Sequence, residues 1–209
     1  GQWICIADKY GKFYCSKDLG QNWSEFQETM SFNYILQGMS QLKDFILIPT
    51  YDQGVFRFDP ENWTISAGHS GLGSAVIYDL EQDNGIVWAA TGIGISSFDV
   101  ESEVWSNVLD LYPDYQLIKV VSDGKGRLAT AGQLNRFVLL SSDYGATWDS
   151  IDVSDPWGPW LIVDIQWHNE QLYVFFEGPS VVRLDPNTLG FVPVDVPKYP
   201  CFFQGNYWA

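Results

Sequence analysis

Basic residues are scarce in this chain of 209 residues, which has 11 Lys and Arg against 26 Asp and Glu and a formal net charge of −15. Binding to nucleic acid or to an anionic membrane surface needs clustered Lys and Arg, and here the few basic residues are scattered. The composition therefore argues against both partners. Long apolar runs are also missing, because no segment approaches the roughly 20 residues of a membrane-spanning helix. Direct membrane insertion is not expected.

Residues that commonly carry metal or nucleophilic chemistry are few, with two His and three Cys. Their scattered positions give no ligand spacing of the zinc type, so neither a metal site nor a cofactor is predicted. No G-x-S-x-G sequence and no phosphate-binding glycine loop is present. Cys5 and Cys15 flank a short turn, so a disulfide between neighbouring strands is one option. Because Cys201 makes the number odd, the sequence leaves the disulfide and the redox compartment open.

Aromatic residues are abundant, with 10 Trp, 11 Tyr and 13 Phe, so aromatic packing is expected to dominate the core.

The sequence also contains a repeated motif. "SKDLGQNW" (16–23) and "SSDYGATW" (141–148) share the pattern Ser-x-Asp-x-Gly-x-x-Trp. A relaxed pattern, Asp followed by an aromatic residue, occurs three more times, and the five aspartates follow at intervals of 41, 40, 44 and 42 residues. All the motif positions are Ser16, Asp18, Gly20, Trp23, Asp59, Trp63, Asp99, Trp105, Ser141, Asp143, Gly145, Trp148, Asp185 and Phe191.

Each repeat contains four short β-rich runs separated by turn residues, and no segment shows sustained helical periodicity. Repeats of about 40–50 residues with four strands each are typical of a β-propeller. The sequence thus predicts one all-β domain over 1–209, a five-bladed β-propeller of four-stranded antiparallel blades. The final "CFFQGNYWA" has the pattern of an innermost strand and "QWICIAD" that of a second strand, so pairing of the N- and C-terminal strands is predicted to close the ring. The predicted blades are 199–209 with 1–28, 33–67, 74–108, 115–153 and 160–196.

The two complete motifs resemble Asp-boxes, also called BNR repeats. The unit around "IYDLEQDNGIVWAATGIGISSFD" is similar to the propeller repeats of bacterial two-component regulators. In such a turn Asp accepts hydrogen bonds from backbone N–H groups, Gly takes a positive φ, and Trp packs between blades. The motif residues are therefore interpreted as structural. The resemblance implies that these turns lie away from the ligand face.

Two kinds of enzyme bear on this resemblance. Sialidases also carry Asp-boxes, but their propellers have six blades and a central arginine triad. Here Arg57 and Arg183 recur at one outer-strand offset, while Arg127 and Arg136 lie together in one repeat, so no triad is predicted. A glycoside hydrolase with paired carboxylates around the central pocket stays as an alternative. The acidic residues on the predicted ligand-face loops are Asp8, Asp52, Asp114, Asp155 and Glu177. No pair has a diagnostic context, so no catalytic residue is assigned and a non-enzymatic role is favoured.

Aromatic residues gather where the innermost strands are predicted to enter the central channel. Aromatic rings beside carboxylates suit stacking on sugar rings and suit gripping a peptide. The favoured function is a non-catalytic, lectin-like or protein-binding propeller that recognises a protein or a glycan at this channel-mouth face. A purely structural or assembly scaffold, with the rings plugging the channel, is the other alternative. The candidate ligand-binding residues are Tyr34, Tyr115, Trp157, Trp160, Tyr199, Asp52 and Glu177, with Tyr10 and Tyr51 in neighbouring loops.

The chain begins directly in a strand pattern, without a signal peptide. We therefore expect a bacterial protein that is secreted, periplasmic or on the cell surface after removal of its signal peptide. A domain of a larger multidomain surface protein fits the same features. An acidic surface keeps such an exported protein in solution.

Overall fold

The computed structural model describes residues 3–7, 12–26, 38–111, 117–132, 137–153, 161–177 and 180–194. Every regular element in these ranges is a β-strand, and none of their segments is a helix able to span a bilayer. The strands form five antiparallel sheets that follow one another along the chain. We call these sheets blades 1 to 5.

The strand bounds are as follows. Blade 1 comprises β1 (Ile4–Ala7), β2 (Phe13–Ser16) and β3 (Ser24–Phe26). Blade 2 comprises β4 (Ser40–Gln41), β5 (Ile46–Pro49), β6 (Val55–Asp59) and β7 (Thr64–Ala67). Blade 3 comprises β8 (Ile77–Asp83), β9 (Ile86–Thr91), β10 (Gly94–Asp99) and β11 (Val104–Asp110). Blade 4 comprises β12 (Leu117–Ser122), β13 (Leu128–Gly132), β14 (Phe137–Ser141) and β15 (Asp149–Asp152). Blade 5 comprises β16 (Ile162–His168), β17 (Gln171–Phe176), β18 (Val181–Leu184) and β19 (Phe191–Val194).

Within each blade, consecutive strands pair with one another, which gives a four-stranded meander in blades 2 to 5. Short turns make this connection local. Between β8 and β9, for example, Asn84 and Gly85 both have positive φ, 49° and 77°. Asn-Gly with two positive φ angles is the preferred two-residue hairpin, since its twist matches that of the flanking strands.

Apolar clusters join each blade to the next. Four clusters fill the interfaces between blades 1 and 2, 2 and 3, 3 and 4, and 4 and 5. In the first, the Phe13 and Phe58 rings meet edge to face with centroids 4.8 Å apart. The innermost strands β4, β8, β12 and β16 also contact one another in succession. Sheets packed face to face around their innermost strands are the arrangement of a five-bladed β-propeller.

Ring closure stays a prediction. Blade 1 shows three strands, and residues 199–209, predicted to supply its fourth, lie outside the described residues. Five large apolar side chains of the two end blades are exposed, namely Ile6 at 50%, Leu19 at 71% and Trp23 at 42% in blade 1, and Leu189 at 37% and Val192 at 45% in blade 5. The exposure of Trp23 differs from the expected packing of motif tryptophans between blades. The residues predicted to close the ring beside blade 1 are not among those described.

A disulfide links the first two strands. Cys5 lies directly opposite Cys15 in the β1–β2 pair, and the two sulfurs are bonded at 2.01 Å. The sequence left this bond open, and the structure contains it.

Candidate functional site

The turn of the first complete motif (16–23), between β2 and β3, is held by side-chain hydrogen bonds. The Ser16 hydroxyl donates to Asp18 Oδ1 at 2.8 Å and accepts the Gly20 N–H at 2.8 Å. Asn22 donates its backbone N–H to Asp18 Oδ1 at 2.8 Å and its side-chain amide to Oδ2 at 2.6 Å. These donors, the Asn22 side chain first, lower the pKa of Asp18 to about 2. An aspartate this fully engaged by its own turn stabilises the hairpin.

The turn of the second complete motif (141–148), between β14 and β15, repeats this geometry. The Ser141 hydroxyl donates to Asp143 at 2.9 Å and accepts the Gly145 N–H at 2.8 Å, and the Thr147 N–H donates to Asp143 at 2.8 Å. In each turn the motif tryptophan donates its indole N–H to the motif glycine carbonyl at 3.0 Å. Trp148 packs against the cluster between blades 3 and 4. The turn thus ties a hairpin to the neighbouring blade.

The three relaxed motifs keep part of this pattern. Backbone N–H groups lower the pKa of Asp59 and Asp99, with Asn62 and Ser102 as the main donors. In blade 5, Asp185 Oδ1 accepts the Asn187 N–H at 2.9 Å. All three aromatic partners also contact a neighbouring blade. Trp105 donates its indole N–H to the Gly68 carbonyl at 2.6 Å, and Trp63 packs against the cluster of blades 1 and 2, while Phe191 packs against that of blades 4 and 5.

The predicted ligand face lies at the opposite ends of these strands, where a rigid loop (50–54) joins β5 to β6. The Thr50 hydroxyl donates to the Gly54 carbonyl at 2.7 Å. Two backbone bonds fix this loop to blade 3, from Gly54 N–H to the Ala75 carbonyl at 2.7 Å and from Ile77 N–H to the Thr50 carbonyl at 3.2 Å. Its side chains are therefore held in place before any ligand arrives.

An aromatic pair stands on this loop. Tyr51 is 46% exposed, and its ring lies edge to face with Tyr78 of β8, with centroids 6.2 Å apart. Burial, with a smaller contribution from Tyr51, raises the pKa of Tyr78. The exposed Asp52 follows Tyr51 directly. Sequence reasoning missed Tyr78, because a tyrosine inside a strand pattern gives no sign that it faces a loop of the neighbouring blade.

The predicted ligand-binding residues are only partly described. Asp52 lies in the loop of blade 2, and Glu177 lies exposed at the end of β17 in blade 5, where its N–H donates to the Leu161 carbonyl at 2.8 Å. The two carboxylates are therefore on different, non-adjacent blades. The remaining predicted site residues lie outside the described residues, namely Tyr34, Tyr115, Trp157, Trp160 and Tyr199.

Charged side chains occupy equivalent positions on three innermost strands. Asp79, Lys119 and Asp164 each follow a register shift in β8, β12 and β16. Lys119 Nζ lies 2.6 Å from Asp164 Oδ1, and Asp79 Oδ2 accepts the Val120 N–H at 3.2 Å. Burial raises the pKa of Asp79 to about 7, although the nearby Lys119 charge opposes that rise.

Acidic side chains of β8 accept hydrogen bonds from β12, the innermost strand of blade 4. The Ser122 hydroxyl of β12 donates to Asp83 Oδ2 at 2.6 Å, and the Ser122 N–H lies 3.5 Å from Glu81 Oε1. Burial raises the pKa of Glu81. An unpaired strand edge otherwise leaves N–H groups without partners, so these carboxylates fix blade 4 against blade 3. In the part of the chain that the structure describes, no three His, Cys, Asp or Glu side chains are grouped to hold a metal ion.

No family model and no curated protein matches this chain. Solved structures do. The extracellular domain of the hybrid two-component system BT4673 from B. thetaiotaomicron has a TM-score of 0.72 at 14% identity, covering 95% of this chain and 29% of that one. YCF48 from Cyanidioschyzon merolae has a TM-score of 0.66 at 12% identity, covering 92% of this chain and 69% of that one. YCF48 bound to D1 peptide has a TM-score of 0.63 at 13% identity, covering 90% of this chain and 63% of that one.

The chain has a β-propeller fold. At these identities the likeness concerns fold alone, and the chain spans less than a third of the BT4673 domain's length.

Proposed function

We propose that this chain is a non-catalytic binding propeller that recognises a protein or a glycan at the face that carries Tyr51 and Tyr78. The observation that carries the proposal is this aromatic pair, with Tyr51 46% exposed on a loop that is hydrogen-bonded to two blades. Tyrosine offers a large amphipathic contact area and loses little conformational entropy on binding, so such rings serve as anchors. The exposed Asp52 adds a hydrogen-bond acceptor beside them.

Other candidate residues extend this surface in the proposal. Five aromatic residues are predicted from the sequence to lie at the same channel mouth, namely Tyr34, Tyr115, Trp157, Trp160 and Tyr199. Glu177 contributes a carboxylate from blade 5. Proteins of the same fold support a binding role, since one is YCF48 bound to D1 peptide and another is the extracellular domain of a two-component system. A hydrolase with paired carboxylates around the central pocket stays as the alternative, with Asp52 of blade 2 and Glu177 of blade 5 as the described candidates.

The proposal includes the family and the compartment. The matched hydrogen bonds of the turns at Asp18 and Asp143 support the Asp-box assignment. The proposal also keeps a single domain over 1–209, in which residues 199–209 and 1–28 form one blade. The disulfide between Cys5 and Cys15 favours an oxidising compartment. A secreted, periplasmic or cell-surface bacterial protein, or such a domain within a larger protein, fits these features.

A paired array experiment tests this function. The purified domain is applied to a glycan array and to a peptide array, next to Tyr51→Ala and Trp160→Ala variants. The control is Tyr144→Ala, since Tyr144 is also 46% exposed but lies at the other end of the strands, in the second Asp-box turn. We expect saturable binding that Tyr51→Ala weakens by at least about tenfold, the equivalent of one lost anchor contact. Absence of saturable binding on both arrays, or an equal loss in the Tyr144 variant, would refute the proposal.

A further inference from the structure

A groove of about 410 Å³ opens between blades 1 and 2, at the end of the strands opposite Tyr51. Its lining includes Trp3, Lys17, Asp18, Asn22, Ser24 and Trp63. We propose that this seam groove is a second binding site and that its ligand is a neutral saccharide. Its volume lies within the range of about 300–1,000 Å³ that small-molecule sites occupy.

Two indole rings form the apolar side of the seam groove. The Trp3 and Trp63 centroids are 6.1 Å apart, and the planes are tilted by 40°. Trp3 is only 7% exposed, whereas Trp63 is partly buried with Phe58 behind it at 5.4 Å. The backing ring fixes the orientation of Trp63. A fixed indole face is suited to the C–H face of a pyranose ring, because it offers a flat apolar surface without needing to be ordered.

Polar groups of the first Asp-box turn form the other side. Asn22 gives one amide hydrogen to Asp18 Oδ2 at 2.6 Å, and a carboxamide has a second hydrogen and a carbonyl oxygen for a ligand. The exposed Ser24 provides a hydroxyl that both donates and accepts. The exposed Lys17 holds its Nζ 4.2 Å from the Trp3 ring centroid. Such a mixture of donors and acceptors around an apolar wall matches the hydroxyl groups of a sugar.

The charge of the seam groove selects a neutral ligand. Lys17 and Asp18 are adjacent and opposite in sign, and the lowered pKa of Asp18 keeps its carboxylate ionised from about pH 4 upward. The protein as a whole carries a net charge of −15, which repels an anion at long range. Within the groove, the Lys17 ammonium repels a cationic ligand. A neutral polyhydroxylated ligand is repelled neither by the net charge of the protein nor by Lys17.

The second Asp-box turn shows that this groove is not a by-product of the motif. Both turns have the same hydrogen bonds to within 0.1 Å. The first motif serine, Ser16, pairs with Ile4, and the second, Ser141, pairs with Leu128. The residues that precede these partners, Trp3 and Arg127, therefore occupy equivalent positions. Arg127 is bonded to Asp123 at 2.6 Å. Ser142 stands where Lys17 does, so the second turn combines the same fold with a different lining.

Calorimetric titration with four neutral hexasaccharides, of the cello, malto, xylo and manno series, tests the proposal. We expect at least one to bind at one site per chain with a Kd tighter than about 1 mM. Lys17→Ala removes a charged donor and is expected to weaken binding at least about fivefold. Ser24→Trp places a bulky side chain in the groove from an exposed strand position and is expected to abolish binding. Galacturonate and chitosan hexamers are expected to bind at least about tenfold more weakly.

Matched variants in the second turn serve as controls. Ser142→Ala and Asp149→Trp change the positions equivalent to Lys17 and Ser24 and are expected to leave the Kd within about twofold. Tyr51→Ala, on the other face, is expected to do the same, which separates this site from the proposed ligand face. Failure of all four hexasaccharides to bind, or binding that neither Lys17→Ala nor Ser24→Trp weakens, would overturn the seam-groove site.

Discussion

Gly38 of blade 2 and Asp79 of blade 3 occupy the same small volume beside the innermost strands. A Cβ on Gly38 would lie 2.3 Å from Asp79 Oδ1 and 2.8 Å from the Leu80 backbone nitrogen. Gly38 also has a φ of 88°. Glycine alone combines a missing side chain with easy access to positive φ, so the buried carboxylate of one blade depends on a glycine in its neighbour.

Gly38→Ala is therefore expected to reduce the free energy of unfolding by about 2–4 kcal/mol, because left-handed backbone strain and overpacking add together. Gly85→Ala is the matched control, since Gly85 has a φ of 77° but no atom within 4 Å of the position that an alanine methyl group would take. That variant is expected to lose only the backbone contribution, about 1–2 kcal/mol. Denaturant unfolding measures both, and equal losses would show that the contact with Asp79 costs nothing.

Asp79 is expected to make stability fall as the pH rises. Its folded-state pKa is raised to about 7 by burial, above its ordinary value of 3.8. The protonated carboxyl therefore contributes fully below pH 3.8, and that contribution is lost as the pH rises through about 7. Asp79→Asn keeps an acceptor for the Val120 N–H and removes the charge. The variant is expected to gain a few kcal/mol on wild type between pH 4 and 8, as measured by denaturant midpoints.

Asp143→Asn is the control, because the pKa of Asp143 is lowered whereas that of Asp79 is raised, so the pH dependence of stability has the opposite direction. Hydrogen bonds, from the Thr147 side chain first, lower the pKa of Asp143 below 3.8. Its contribution is present above pH 3.8 and is lost as the pH falls below that value, so the difference between this variant and wild type should shrink at low pH. A flat difference between wild type and the Asp79 variant from pH 4 to 8 would contradict the assignment of the slope to Asp79.

The repeat made most of the fold predictable from sequence. Each blade depends on local information, since strands, turns and an aspartate followed by an aromatic residue recur every 40 to 44 residues along the chain. The pairing of Cys5 with Cys15 also lies within one hairpin, but no sequence pattern decides whether the bond forms, because that depends on the distance between the two sulfurs and on the redox compartment. Local patterns thus sufficed for the blades and not for the chemistry between cysteines.

The candidate sites were harder to predict because they join distant parts of the chain. The seam groove brings together Trp3 and Trp63, which are far apart in sequence and belong to different repeats. Tyr78 has the sequence context of an ordinary strand residue, and only the structure places it beside Tyr51. The charged position shared by Asp79 and its counterparts follows a register shift, and a bulge has no reliable sequence signature.

The disulfide is expected to stabilise blade 1. Cys5 and Cys15 are separated by 10 residues, and closing a loop of that length restricts the unfolded chain enough to contribute about 2–3 kcal/mol. Cys5→Ala should reduce the free energy of unfolding by that amount, and a reducing agent should lower the denaturant midpoint of the wild type without affecting that of the variant. If reduction shifts both proteins equally, the effect belongs to something other than this bond.

The tryptophans of the two complete motifs, Trp23 and Trp148, are expected to differ in their contribution to stability although their turns match. Each donates its indole N–H to a glycine carbonyl at 3.0 Å, but Trp148 packs against the cluster of blades 3 and 4, whereas Trp23 is 42% exposed. Trp148→Ala should reduce the free energy of unfolding by about 3–5 kcal/mol and Trp23→Ala by about 1 kcal/mol, since the cost follows the apolar area that each ring buries. Denaturant unfolding of the two variants measures the difference. An equal loss would contradict the exposure of the Trp23 ring that the structure shows.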